Sequence, residues 1–217
     1  MVKKKIFEHI KKMKKAELIE LLETAFDETD RKEREYIFGE INEAIESKSE
    51  TPKKLYKKIE KFFTDSLDEK YYAPFNMNSK NFMDVPDETD EWFTKLSKFL
   101  DKTSNLVQQK EYEIANECFI KLYELIEMMM SGENIVYADE LGSWMISADV
   151  DYNKAYITSL SKTENPITFT ERVIPILQND TYNSFSGKIY SKIKRIANKA
   201  QFKEVEKEIE LKKIRIK

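Results

Sequence analysis

The chain has 217 residues, of which 41% are hydrophobic and 35% charged, so it can bury a sizeable core and is not a disordered protein. It contains only four glycines, one histidine and one cysteine, which excludes internal disulfides and multi-histidine metal sites and leaves little material for glycine-rich phosphate loops. The formal net charge of −3 conceals strong zoning, since residues 1–15 carry +6, residues 182–217 carry +7 and residues 16–181 carry −16.

The first fifty residues predict amphipathic helices. Apolar residues recur at steps of three and four between residues 6 and 25, which indicates one helix or two closely joined helices. Asp30 followed by Glu33 has the form of a capping box, so a further helix is expected to begin there and to carry apolar positions up to residue 45. These helices are expected to pair antiparallel.

Residues 51–88 contain a helix start and a long connection. Thr51 is a candidate N-cap, and Pro52 suits the first position of a third helix whose apolar stripe extends to residue 63. Residues 70–88 then break the helical pattern with two prolines and several large apolar side chains. A connection of this length is either functional or packed down as an ordered loop.

Apolar periodicity predicts further helices along the rest of the chain. The stripes cover residues 92–100, 112–126, 141–148, 169–177 and 185–200, and a short helix is expected around residue 155. Asp87 or Asp90 is expected to cap the first of these helices, Gly132 to end the second, and Thr168 with Glu171 to form a capping box before the fourth.

The scarcity of glycine and proline, together with these stripes, predicts an all-α fold. We expect about eight to ten helices in antiparallel hairpins, arranged as an irregular α-solenoid-like stack or a helical bundle. We expect a single all-helical domain over residues 1–217, with an alternative sub-boundary within residues 70–88. Residues 203–217 fit neither the helical nor the strand period, so helix, edge strand and frayed end stay open.

A short stretch of the chain is similar to a known helical repeat. Tyr112, Ala115 and Phe119 stand where the tetratricopeptide repeat family places a tyrosine, a small residue and an aromatic residue. Residues 99–122, about a tenth of the chain, therefore resemble that family, which implies stacked helical hairpins. Thr103 stands where the family expects glycine, and no second copy follows at the family's spacing.

Motifs for catalysis and metal binding are missing. The sequence contains no phosphate-loop, dinucleotide-binding, nucleophile-elbow, zincin or CxxC motif. Asp149, Asp151 and Asn153 alternate like the start of an EF-hand loop, but Lys154 and Leu160 stand where that loop requires glycine and glutamate. We therefore expect no catalytic residue, no cofactor and no metal, and not an enzyme.

His9 and Cys118 have ordinary structural explanations. His9 lies in a lysine-rich helix that favours a solvated face, and Cys118 lies beside Phe119 in an apolar stripe that favours a buried thiol. The lone cysteine and a charged start without an apolar secretory stretch predict a cytoplasmic location. No run approaches the roughly 20 apolar residues of a membrane-spanning helix, so no membrane partner is expected.

Two segments are candidates for binding a partner. The aromatic loop, residues 71–83, offers large apolar side chains: Tyr71, Tyr72, Phe75 and Phe82. The basic helix offers cations at steps of four, three and four, which is a spacing that can follow phosphates: Lys188, Lys192, Arg195 and Lys199. Packing of the loop into the core and an ordinary solvated helix face explain the same two patterns without a partner, and they are the preferred explanations.

The sequence therefore predicts a non-catalytic helical interaction or scaffold protein that binds a protein partner through a helical groove or the aromatic loop. One alternative is a nucleic-acid-associated accessory protein that uses the basic helix. The other is an acidic inhibitor of a nucleic-acid-binding protein, which uses residues 16–181 to mimic a polyanion. The oligomeric state stays open, and richness in lysine, isoleucine, asparagine and glutamate suits an AT-rich bacterial or phage genome.

Overall fold

The structure is a computed structural model that describes residues 3–30, 33–34, 36–39, 41, 51–73, 86–137, 150–178 and 186–216. These residues are all-α, as the sequence predicts. The bounded helices are α1 Lys3–Ile10, α2 Lys15–Glu28, α3 Pro52–Leu67, α4 Asp87–Gln108, α5 Tyr112–Ser131, α6 Val150–Thr163, α7 Pro166–Gln178, α8 Ser186–Ile196 and α9 Lys199–Lys212. Residues 33–34, 36–39 and 41 are also helical.

Contacts divide the chain into two compact units, Met1–Glu50 and Thr51–Lys217. The division falls after residue 50 and not within residues 70–88, where the sequence suggested an alternative sub-boundary. The single domain predicted for residues 1–217 stays a prediction, because the contacts describe each unit by itself. The solenoid-like stacking and the repeat also stay predictions.

In the first unit, the apolar stripe between residues 6 and 25 forms two helices, α1 and α2. They are joined by residues 11–14, and Lys14 has an extended backbone (φ −72°, ψ 153°) at the start of α2. The predicted capping box is confirmed, since the Asp30 N–H donates to Glu33 Oε2 at 3.1 Å and the Glu33 N–H donates to Asp30 Oδ1 at 2.9 Å.

In the second unit, the predicted start of α3 and end of α5 are confirmed, and the predicted cap of α4 is wrong. Thr51 caps α3, because its Oγ1 accepts from the Lys54 N–H at 3.3 Å and Pro52 takes the first helical position. Gly132 ends α5 in the left-handed region with φ 80°, which costs a glycine little because it has no Cβ. Pro86, and neither predicted aspartate, occupies the N-cap position of α4.

Three predictions for residues 150–217 were wrong or incomplete. The short helix around residue 155 is a helix of 14 residues. Asn165 starts α7 in place of Thr168, because its Oδ1 accepts from the N–H groups of Ile167 at 3.0 Å and of Thr168 at 3.2 Å. The stripe over residues 185–200 spans a helix break at Asn198, whose side chain caps α9. Of the alternatives for the tail, helix is found through Lys212.

The core of the second unit surrounds α5. This helix packs against α3, α4 and α6; α6 also packs against α8, and α7 pairs with α9. The core side chains with no exposed surface are Ile59, Trp92, Leu96, Ala115, Cys118, Phe119, Leu122, Leu125, Ile157, Leu160, Phe169, Val173, Ile189, Ile193 and Val205. Burial of this many large side chains is the main source of stability for the unit.

Buried polar side chains join these helices by hydrogen bonds. The Trp92 indole N–H donates to Ser66 Oγ at 3.0 Å, which links α4 to α3. Asn116 Nδ2 donates to Glu164 Oε1 at 2.6 Å, and Gln201 Nε2 donates to the Glu164 carbonyl at 3.0 Å. Because unpaired polar groups are costly in a core, these bonds fix which helices meet.

Candidate interaction surfaces

Tyr71, the first residue of the aromatic loop, lies in the core. It is 2% exposed, and its ring centre is 5.6 Å from that of Phe62. Its hydroxyl accepts a hydrogen bond of 3.0 Å from Lys95 Nζ, which also lies 5.0 Å from the ring centre. Burial lowers the pKa of Lys95, but hydrogen bonds to Glu91 and Tyr71 outweigh it and leave the pKa raised. Tyr71 is thus held from two sides and is not an accessible contact.

The segment around Tyr71 is also fixed through the backbone. Tyr71 forms an isolated parallel β-bridge with Val136. The next residue along, Tyr137, offers its carbonyl to Thr89 Oγ1 at 2.8 Å, which ties this segment to the start of α4. Tyr72 is half-buried, and Phe75 and Phe82 lie outside the described residues. The loop therefore begins as a packed element, as the packing explanation of its aromatic residues predicts.

Three of the four predicted cations share one face of α8. Lys188 and Arg195 are exposed, and Lys192 is half-buried. Lys199 belongs to a different helix, because Asn198 interrupts α8 and caps α9. The predicted row of four on one helix was therefore wrong in its last member. Residues 186–199 nevertheless contain five basic residues and no acidic residue.

The carboxylates of the C-terminal segment lie on α9. Glu204 pairs with Lys207 at 2.9 Å, and Glu208 pairs with Lys212 at 3.2 Å. Glu206 Oε1 accepts from the Tyr190 hydroxyl at 3.3 Å. These contacts use Lys207, Lys212 and the Tyr190 hydroxyl, and none of them uses Lys188 or Arg195.

Burial raises the pKa values of two titratable groups of the core, Cys118 and Tyr156. Burial raises the pKa of the Cys118 thiol to about 12, and the nearby Glu117 carboxylate adds to the rise. Burial also raises the pKa of Tyr156, whose ring centre lies 4.3 Å from that of Tyr123. A protonated, fully buried thiol is a poor nucleophile at neutral pH, as expected for a structural cysteine.

The EF-hand-like start has a structural explanation at Asn153. This residue lies within α6, and its Oδ1 accepts from the Tyr123 hydroxyl at 2.7 Å. Asp149 lies outside the described residues. Across the part of the chain that the structure describes, no group of three or more histidine, cysteine, aspartate or glutamate residues is arranged to hold a metal. None of the described helices has the length and apolar character needed to cross a membrane.

The first unit carries a surface that the sequence analysis did not single out. Neither α1 nor α2 buries a residue. Of thirteen exposed large hydrophobic side chains among the described residues, nine belong to this unit. We call them the N-terminal apolar surface: Ile6, Phe7, Ile19, Leu21, Leu22, Phe26, Tyr36, Ile37 and Ile41. A concentration of exposed apolar side chains is typical of an interaction site.

Amphipathic periodicity was visible in the sequence but did not reveal this exposure. An apolar stripe predicts that one face of a helix is buried, but it does not identify the element that packs against that face. Within the unit, Phe26 contacts Phe38 edge to face with ring centres 5.3 Å apart, and the Arg34 guanidinium lies 5.1 Å from the Phe26 ring centre. Even so, Phe26 remains 44% exposed.

Comparisons with known proteins found no family model, no curated protein and no solved structure that matches this chain.

Proposed function

We propose that the chain is a non-catalytic helical interaction protein that binds a protein partner through the N-terminal apolar surface. The observation that carries this proposal is the uneven exposure of large apolar side chains. Among the described residues, the first unit holds nine of the thirteen exposed large apolar side chains within less than a quarter of the chain, and the larger second unit holds four. Exposure of apolar side chains to water is unfavourable, and a partner that covers them lowers the free energy.

This proposal moves the contact region from the aromatic loop to the first unit. Tyr71 supports the fold of the second unit through Phe62 and Lys95, so replacing it tests stability more than binding. Leu22 is a better probe, because it is 54% exposed on α2 and its replacement removes no core contact.

The test compares two matched variants of the full chain. Leu22→Asp places a charge within the N-terminal apolar surface, and Leu211→Asp does the same at a 72% exposed leucine on α9. A partner captured by the tagged wild-type chain is purified, and its affinity is measured by calorimetry. We expect Leu22→Asp to weaken binding about a hundredfold and Leu211→Asp to leave it unchanged. Equal binding by both variants would contradict the proposal.

A second candidate function is supported by the row on α8. Five basic residues without an acidic one in residues 186–199 form a cationic segment that suits a nucleic-acid backbone. The acidic middle of the chain opposes this role by repelling the same polyanion. Under this alternative, heparin or duplex DNA retains the chain at low salt, and Lys188→Gln with Arg195→Gln reduces the retention. An absence of retention at low salt rejects it.

A further inference from the structure

We propose that the partner of the N-terminal apolar surface is a second copy of this chain, with α1 of each copy packed antiparallel on α2 of the other. This inference rests on the proposed function, which makes that surface the contact region. A symmetric pair of this kind uses the same two helices twice, since α1 meets α2 of the partner and α2 meets α1 of the partner.

The two helices carry opposite charges, and this makes them complementary. Residues 3–14 contain six lysines and one glutamate. Helix α2 contains five carboxylates and one lysine, and its carboxylates are Glu17, Glu20, Glu23, Asp27 and Glu28. All of these charged side chains are exposed. In the described residues of one copy, Lys11 pairs with Glu8 and Glu17 accepts from the Lys14 N–H, but no ion pair joins a lysine of α1 to a carboxylate of α2.

The apolar faces of the two helices also match. α1 presents Ile6, Phe7 and the half-buried Ile10, which recur at helical spacing. α2 presents Ile19 and Leu22 along one stripe, which continues to Phe26, whose ring also contacts Phe38 within the same unit. At 1.5 Å per residue, the eight residues of α1 span about 12 Å, enough to cover the C-terminal half of α2.

Antiparallel packing brings the strongest charges together. The N-terminus of α1, with three consecutive lysines at residues 3–5, then lies beside the last turns of α2, where Glu23, Asp27 and Glu28 are found. The opposed helix dipoles favour the same direction. A parallel arrangement would instead place the lysines beside Lys15 at the start of α2.

The short connection between the helices favours exchange between copies. Only residues 11–14 separate α1 from α2, and Lys14 is extended. Within one copy the helices stay open, since neither buries a residue against the other. Short connections that hold a hairpin open promote the exchange of an element between identical chains. The carboxylates of α2 also disfavour an anionic membrane as the partner, because they would be repelled by it.

The decisive experiment reverses the charge of each helix separately in the full chain. The first variant combines Lys3→Glu, Lys4→Glu and Lys5→Glu. The second combines Glu23→Lys, Asp27→Lys and Glu28→Lys. Both changes agree with the helix dipole, because Lys3, Lys4 and Lys5 lie in the first turn of α1, and Asp27 and Glu28 lie in the last turn of α2. Lost association therefore cannot be attributed to a lost helix, and circular dichroism checks that helicity is retained.

Sedimentation equilibrium measures the mass from about 1 to about 100 µM protein. We expect the wild type to approach twice the chain mass of 25.8 kDa. Each charge-reversal variant alone should raise the dissociation constant at least about tenfold, because both of its contacts become repulsive. An equimolar mixture of the two variants should dimerise again, since each reversed helix then meets its reversed complement in the other chain.

Three results would overturn this inference. These are a wild type that stays at 25.8 kDa throughout, variants that associate as the wild type does, or a mixture that fails to recover association. The proposed function fails separately, by calorimetry with Leu22→Asp and Leu211→Asp. A monomeric chain that still binds another protein through Leu22 would refute self-association and leave the interaction role standing.

Discussion

The units Met1–Glu50 and Thr51–Lys217 have similar amphipathic patterns but place their apolar side chains differently. In the second unit, large side chains such as Trp92 and Phe119 have no exposed surface. In the first unit, Phe7 is 52% exposed and Leu22 is 54% exposed. A sequence can therefore specify a helix without specifying a core. An apolar stripe gives a helix an apolar face, whereas burial of that face requires other elements that pack against it.

The largest expected contrast between the units is in thiol reactivity. Cys118 is fully buried with its pKa raised by burial, and Thr24 is exposed on the polar face of α2. A cysteine introduced as Thr24→Cys should react with a thiol reagent at the rate of a free thiol. Native Cys118 should react at least about a thousandfold more slowly, since it must await unfolding. Stopped-flow absorbance separates the two phases, and comparable rates would remove the contrast.

The next largest effect is in folding stability. Phe119→Ala removes a fully buried ring next to Tyr156, with ring centres 5.3 Å apart, and should lower the free energy of unfolding by about 3–5 kcal/mol. Phe7→Ala is the matched change in the first unit and should cost less than about 0.5 kcal/mol at concentrations where the chain is monomeric. Urea unfolding followed by circular dichroism measures both. Equal losses would contradict this difference between Phe119 and Phe7.

A buried hydrogen bond gives a smaller effect. Ser66→Ala removes the acceptor of the Trp92 indole N–H and leaves that donor unpaired in the core. We expect a loss of about 1–3 kcal/mol. Ser191→Ala is the control, because that hydroxyl is exposed and donates only to the Gly187 carbonyl of its own helix. Urea midpoints that move equally for both serines would count against the role of the Ser66 bond.

Side-chain hydrogen bonds to the helix backbone should contribute differently to the stability of the two units, by about 1 kcal/mol. Thr51→Ala deletes the side chain that caps α3, whose apolar face is buried, and should destabilise the second unit by that amount. Thr24→Ala deletes a hydroxyl that bonds the Glu20 carbonyl within α2, and it should be neutral or slightly stabilising because alanine has the higher helix propensity. Thermal unfolding followed at 222 nm tests both, and the opposite order would be contrary to this comparison.

The smallest expected effect is a pH dependence at Asp65. Hydrogen bonds from Lys61 and Lys70 lower the pKa of this carboxyl below its usual range, although partial burial opposes the change. The unfolded chain therefore binds more protons than the folded chain in acid. The contribution of Asp65 is present above the ordinary pKa and is lost as the pH falls through the lowered one.

Because Lys61 and Lys70 are largely exposed, this contribution should stay below about 1 kcal/mol. Unfolding free energies measured between about pH 7 and about pH 3 should fall less steeply for Asp65→Asn than for the wild type. An unchanged slope in Asp65→Asn would refute the role of its ion pairs.

Local signals in the sequence predicted much of the fold. The Asp30 and Glu33 capping box, the Thr51 cap and the Gly132 stop each depend on residues within three positions of a helix end, so they are visible without tertiary structure. The misplaced start of α7 and the missed break at Asn198 came from competing local signals. In both places an asparagine side chain accepts hydrogen bonds from free N–H groups at a helix start. The spacing of apolar residues does not reveal these bonds.

The residues predicted to contact a partner also differ in how well the sequence could place them, because some depend on near neighbours in the chain and others on distant residues. The sequence could identify Tyr71 as a large apolar residue in a long connection, but its burial depends on Phe62 and Lys95, which lie on two other helices. The cationic α8 row was visible because its residues are spaced along one helix. The sequence did not reveal that the N-terminal apolar surface is exposed, because exposure depends on whether other parts of the fold pack against an apolar stripe.

The sequence by itself determined that the described chain is helical, where many of its helices begin and end, and which faces are apolar or charged. These properties follow from side-chain spacing and from hydrogen bonds between near neighbours. Tertiary structure alone decided which apolar faces find partners, since burial depends on contacts between residues far apart in the chain. Those contacts gave residues 51–217 a core and left the apolar faces of α1 and α2 exposed.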